Sequence, residues 1–129
     1  MNLQQLKSTM KTYGRAWENQ DSDLLLSIFA KDGVYQESPL AKTIKGHKKI
    51  ANFWNQVVGE ETKNIRFKLG KCYISSDKKV GFAEWECKNA HKWKKDMKWR
   101  QDHMAGIMII KMKGNKISHL NEYWRTKSK

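Results

Sequence analysis

The chain has 129 residues, enough for one domain with a sizeable core but too few for two. Charged residues make up 30% and aliphatic and aromatic ones 39%, a globular balance, and no apolar run approaches the roughly 18 residues of a membrane span. The formal charge of +13 leaves nucleic acid, an anionic surface or simple solubilisation open; only four of the 26 basic residues are arginine (Arg15, Arg66, Arg100, Arg125), which favours solubilising lysine over a phosphate-reading face.

In chain order, Leu3, Leu6, Met10, Tyr13 and Trp17 recur at helical spacing and predict a first amphipathic helix. Gln20 to Asp23 supplies a break and a cap for a second helix over Leu24–Ala30. Asp32-Gly33 then turns the chain into a short strand, Val34–Ser38, ended by the lone Pro39. After a loop to Gly46, the residues Ile50, Phe53, Trp54, Val57 and Val58 mark a third helix.

From Ile65 the period changes to two. Ile65, Phe67 and Leu69 alternate with charged residues, and Gly70 predicts a bulge before Cys72–Ile74. Strands follow at Lys79–Lys88, Met97–Met112 and Lys116–Arg125, with a lysine-rich tip at Asn89–Asp96 and a turn at Gly114-Asn115. Three helices followed by an antiparallel meander predict an α+β domain spanning residues 1–129, a curved sheet wrapped around the helices into a cone with an open mouth. Such mouths take small ligands. Cys72 and Cys87 fall on separate strands without metal spacing and read as reduced residues. The amphipathic opening MNLQQLKSTMK is not an apolar export block, so the expectation is a cytoplasmic protein.

Four segments carry a family resemblance: YGRAW closing the first helix, FAKDGVYQESPL, IKGHKKIANFW and GNKISHLNEYW. Together, in this order, they resemble the SnoaL-like branch of the nuclear transport factor 2-like superfamily over nearly the whole chain. That superfamily includes ketosteroid isomerases, polyketide cyclases, dehydratases, epoxide hydrolases and non-catalytic binders, so fold alone does not name the activity. Against the ketosteroid isomerases, Tyr13 matches a catalytic tyrosine, but Ser38 stands where their base belongs and Met108 where their protonated acid belongs. Against the limonene-type epoxide hydrolases, Tyr35 falls on the water-positioning tyrosine, Glu37 on its asparagine companion, and Glu122 and Glu86 on the two acids. Glu84 replaces their bridging arginine, which leaves that machinery incomplete.

The resulting candidates are Glu37 and Glu122 as acid and base, with Tyr13 and Tyr35 as hydrogen-bond donors to a developing oxyanion. Trp17, Trp54, Glu86, His103, Leu120 and Trp124 are expected to line the pocket. For Glu86 two readings stand side by side. Alternation puts Glu84 and Glu86 outside and Trp85 inside, whereas the resemblance turns Glu86 inward. No metal or organic cofactor is expected; the expected partners are a small, largely apolar ligand and a second copy of the chain, paired through the convex sheet face. The tip KNAHKWKKDMKWR interleaves Trp93 and Trp99 with basic residues and gives nucleic acid as the competing partner.

Overall fold

The computed structural model describes residues 1–92 and 96–128. Trp93 and its two lysine neighbours in the basic tip lie outside the described residues.

Helix α1, Leu3–Asn19, begins where the Asn2 side chain accepts from the Gln5 N–H at 2.8 Å and ends at Gln20, in the left-handed region at φ 53°. Its buried stripe, Leu6, Met10, Tyr13, Ala16 and Trp17, faces the sheet. At Gly14 a Cβ would stand 2.6 Å from the Phe67 ring, so glycine sets how closely the helix approaches the sheet. Asp21 caps α2, Ser22–Ser27, accepting from the Leu24 N–H at 3.0 Å. Helix α3, His47–Trp54, buries Ile50 and Trp54 and runs into one wide π-type stretch, Asn55–Glu60.

The sheet strands are β1, Phe29–Gln36; β2, Ile44–Lys45; β3, Thr62–Ile74; β4, Val80–Lys92; β5, Trp99–Lys113; and β6, Lys116–Ser128. Their order is β2-β1-β6-β5-β4-β3, a curved six-stranded sheet with open edges. It is mixed rather than antiparallel, because β1 runs parallel to β6. The whole meander separates these two strands in sequence, long enough for the crossover that parallel pairing needs.

The sheet also claims β1 earlier than expected. The apolar run Leu24 to Phe29 reads as continuous helix, yet the Ile117 N–H donates to the Ile28 carbonyl at 2.7 Å and Phe29 pairs with Ile117. Pairing with β6 outweighs local helical spacing. Asp32-Gly33 is then not the turn before the strand but part of an irregularity within it, between Phe29 and Val34. The bulge at Gly70 is present as a register shift between Leu69 and Cys72.

Across the sheet, alternation sorts the residues. Ala83, Trp85, Cys87, Met108, Ile110 and Leu120 are buried beneath the helices, with Met108, Ile110 and Leu120 each contributing roughly 1.5–3 kcal/mol when fully removed from water. On the convex face Tyr73, Trp99 and Tyr123 remain exposed. No helix among the described residues is long and apolar enough to cross a membrane.

Candidate active site

Three elements converge on one carboxyl. Position 122 follows Leu120 on the inward face of β6, opposite Met108 on β5, and is 3% exposed. Tyr13 reaches it from α1 and donates its hydroxyl hydrogen to Glu122 Oε1. Tyr35, inward on β1 and paired with Leu120, brings its hydroxyl to 3.5 Å from that of Tyr13. Burial pushes the Glu122 carboxyl up to about 8. The two tyrosine hydrogen bonds pull it down without offsetting that burial, and the charge of Glu37 adds a smaller upward push. Glu122 is therefore mostly protonated at pH 7. The same burial, with Glu122 beside them, holds both phenols well above the ordinary tyrosine value.

Glu122 lines a cavity of about 520 Å³. Its apolar wall comes from Trp17, Phe53, Val57, Val58, Met104 and Trp124. Glu37 lines it too, half-buried where the chain leaves β1. The segment is pinned there: the Trp124 indole N–H donates to the Glu37 carbonyl, and Gln36 bridges Asn121 and the Ala41 carbonyl. Tyr35 faces the cavity, while Tyr13 stands behind Glu122 and is wholly buried.

A second polar group lies in the same wall: Thr62, Asn89, His91 and Asp102. The Thr62 hydroxyl donates to the Val57 carbonyl at 2.7 Å, so its oxygen accepts from His91 Nδ1–H at 3.0 Å. Neutral His91 then carries its lone pair on Nε2. Burial lowers its pKa below the usual 6.5, against the upward pull of Asp102 and Glu61. Among the described residues, Trp17 Nε1, Asn89 Oδ1 and Thr126 Oγ1 have no hydrogen-bond partner, and all three residues line the cavity. Asn89 and His91 were not singled out by the sequence, because they fall in what reads as a solvated hairpin tip. Their signal was the inward alternation that continues from Trp85 and Cys87.

Of the expected lining residues, Trp17 and Trp124 are in the wall; four are elsewhere. Trp54 is fully buried behind it, its ring edge-on to Trp17 at 5.1 Å and to Tyr13 at 5.8 Å. Leu120 is core between Tyr35 and Ile110. Glu86 and His103 are on the convex face, paired at 2.9 Å and each with a side chain 41% exposed. Trp85 takes the inward direction on β4 and Asp102 takes it on β5, so strand alternation sends their neighbours outward. Among the described residues, no three His, Cys, Asp or Glu side chains are grouped to hold a metal ion.

A curved, open-edged sheet wrapped around three helices, with a cavity on its concave side, is the architecture of the nuclear transport factor 2-like class. The family model for the SnoaL-like domain matches residues 10–120, and the chain belongs to that family. No curated protein sequence matches it. Among solved structures, it is similar to the Δ5-3-ketosteroid isomerase from Mycobacterium sp. at 15% identity and TM-score 0.74, covering 97% of this chain and 98% of that one. It is also similar to SalBIII, an epoxide hydrolase/cyclase-like enzyme of pyran ring formation in salinomycin, at 15% identity and TM-score 0.76 over 95% and 92% of the two chains. A computationally designed 17-OHP binder matches at 15% identity and TM-score 0.75 over 94% and 95%. At these identities the likeness is one of fold.

Proposed function

We propose that this protein is an acid/base enzyme that works without metal or organic cofactor on a small, largely apolar molecule. The observation that carries the proposal is Glu122: a carboxylic acid that keeps its proton near neutral pH, at the wall of an apolar cavity. In this reading the protonated Glu122 donates to a substrate oxygen. Tyr35 supports the charge developing there, and Tyr13 holds the Glu122 carboxyl in place. Glu37 acts as the base at the mouth. In an isomerisation it would take a proton from carbon while Glu122 hydrogen-bonds the carbonyl. In hydrolysis or cyclisation it would take the proton of water or of a substrate hydroxyl, while Glu122 protonates the departing oxygen. In dehydration Glu37 would take a proton from carbon while Glu122 protonates the departing hydroxyl, which leaves as water.

The reading extends to a cytoplasmic homodimer. Both cysteines are free, as in a reducing compartment. Tyr73, Phe82 and Ile109 form one cross-strand row on the convex face, with Ile107 and Tyr123 in the next, an apolar patch suited to a second copy.

The test uses two panels: apolar enolisable ketones in heavy water, read for deuterium uptake, and apolar epoxides in ¹⁸O-water, read for label in the product. Uptake by the wild type that Glu122→Gln abolishes supports the proposal. Ligands that bind the cavity while neither panel reacts would make the protein a non-catalytic binder; a designed 17-OHP binder shares this fold.

A further inference from the structure

On the convex face, strand register fixes which residues stand side by side whatever their rotamers. Across β3, β4, β5 and β6, Arg66 pairs with Lys88, Lys88 with His103, and His103 with Lys127. Two residues along, the next row contains Lys68, Glu86, Ala105 and Arg125. Like charges directly opposite one another destabilise a sheet. Glu86 relieves part of this, 2.9 Å from His103 and 4.0 Å from Lys68. Arg66, Lys88, Arg125 and Lys127 make no ion pair among the described residues. Charge serving only solubility has no reason to concentrate in one cross-strand row.

Two further features make the row a site. Pairing of β3 with β4 skips between Lys63 and Arg66, with Asn64 at φ 54°. At this irregularity lies a groove of about 660 Å³, lined by Arg66, Lys88, Asn64, Gln101 and the buried Asn89, whose Oδ1 has no hydrogen-bond partner among the described residues. The carboxylate in the groove, Glu18, already accepts from the Phe67 N–H at 3.2 Å. Beyond Gln101 on the same face stands Trp99, 40% exposed, with Lys63 Nζ 4.2 Å and Lys92 Nζ 5.8 Å from its ring centroid.

We propose that this end of the convex face binds single-stranded nucleic acid. Phosphates lie along Arg66, Lys88 and Lys127; Lys63, which covers the Trp99 ring in the free protein, moves with Lys92 to the flanking phosphates, and a base takes its place on the ring. A sheet surface combining cations with an exposed ring suits unstacked bases. An acidic protein would use the cations but not the ring. A membrane would need an apolar wedge, and the apolar patch of this face lies at its opposite end.

The experiment is fluorescence anisotropy of a labelled twelve-nucleotide oligothymidine at several salt concentrations. With five phosphates neutralised, by Arg66, Lys88, Lys127, Lys63 and Lys92, the slope of log affinity against log salt should be roughly −3.5. The Arg66→Ala/Lys88→Ala variant should bind at least about tenfold more weakly with a slope shallower by about 1.4. Trp99→Ala should lose roughly tenfold through lost stacking. Lys7→Ala/Lys11→Ala removes equal charge from the exposed side of α1 and should lose less than about twofold. All of these positions are exposed, and circular dichroism checks their folding. Equal losses in the two double variants would reduce the effect to diffuse charge and overturn the proposal. So would no binding at low salt, or tighter binding of polyglutamate or phosphatidylserine vesicles than of the oligonucleotide. Glu122→Gln should bind like the wild type, which separates this site from the acid/base pocket.

Discussion

Replacing Glu122 with glutamine converts the buried carboxyl into something close to its own protonated form, and this isolates its proton from every other titrating group. The folded protein holds that proton up to about pH 8, whereas the unfolded chain releases it near 4.5. Ionising in the fold is therefore disfavoured, so the contribution of Glu122 to stability is intact below 4.5 and lost as pH rises through about 8. At roughly 1.4 kcal/mol per pH unit, the loss is on the order of 3 kcal/mol by pH 7 and on the order of 5 by pH 9. Glutamine loses nothing. Urea denaturation of wild type and Glu122→Gln from pH 4 to 9 gives a stability difference in which the other groups cancel. That difference should climb in favour of glutamine by these amounts and level off above about pH 8. A difference that stays flat across the range would mean that Glu122 ionises like an exposed carboxylate, and the proton-donor role would fall with it.

Tyr13→Phe removes the donor to Glu122 Oε1, so NMR titration should find the carboxyl above its wild-type value, with a stability loss of about 1–3 kcal/mol from the unpartnered acceptor. His91 is held below 6.5 by burial; the stability it provides is full above that pH and lost as pH falls through its folded value, and its ring proton shifts should report that lower midpoint. Gly106→Ala places a Cβ 2.0 Å from the Tyr123 carbonyl, backbone that cannot step aside; a cost at or above the roughly 3 kcal/mol upper end of overpacking should appear in thermal melts. Ile109→Lys puts charge into the apolar convex patch; light scattering should show wild type as the proposed homodimer and this variant as monomer.

The helices and the meander were legible because both rest on local periodicity: Leu6, Met10 and Tyr13 on α1, and Ala83, Trp85 and Cys87 on β4. The parallel pairing of β1 with β6 was not, since nothing near Phe29 announces that Ile117 will take it from the helix. For the site, Glu122 between two large apolar neighbours on its strand face was a readable sign of burial. Glu86 shows the reverse. Alternation with Trp85 placed it outside, the family alignment placed it inside, and the folded strand follows alternation, because an indole gains more from the interior than a carboxylate can. Asn89 and His91 escaped notice because β4 continues past Lys88 to Lys92, so residues that look like a solvated tip are strand residues beside the cavity.

The difference between Glu122 and Glu86 also bears on how a pocket arises here. Both are glutamates in the middle of long strands, and their ionisation moves in opposite directions. His103, then burial working against it, then the nearby lysines set Glu86, and the net effect holds it below the ordinary value on the wet face; burial, with a smaller push from Glu37, carries Glu122 upward. One residue of strand phase decides which environment a carboxylate enters. The fold supplies two surfaces with contrary chemistry from a single sheet: a concave side that retains protons and a convex side that retains charge. A one-residue slip of β6 would exchange Glu122 with Tyr123, leaving a cavity without its acid and a surface without its tyrosine. What locks the phase is the packing of Leu120 between Tyr35 and Ile110, together with the Asn121–Gln36 hydrogen bond at 2.7 Å on the other face. Leu120, expected to line the pocket, thus serves the site from the core, by holding the register that points Glu122 inward.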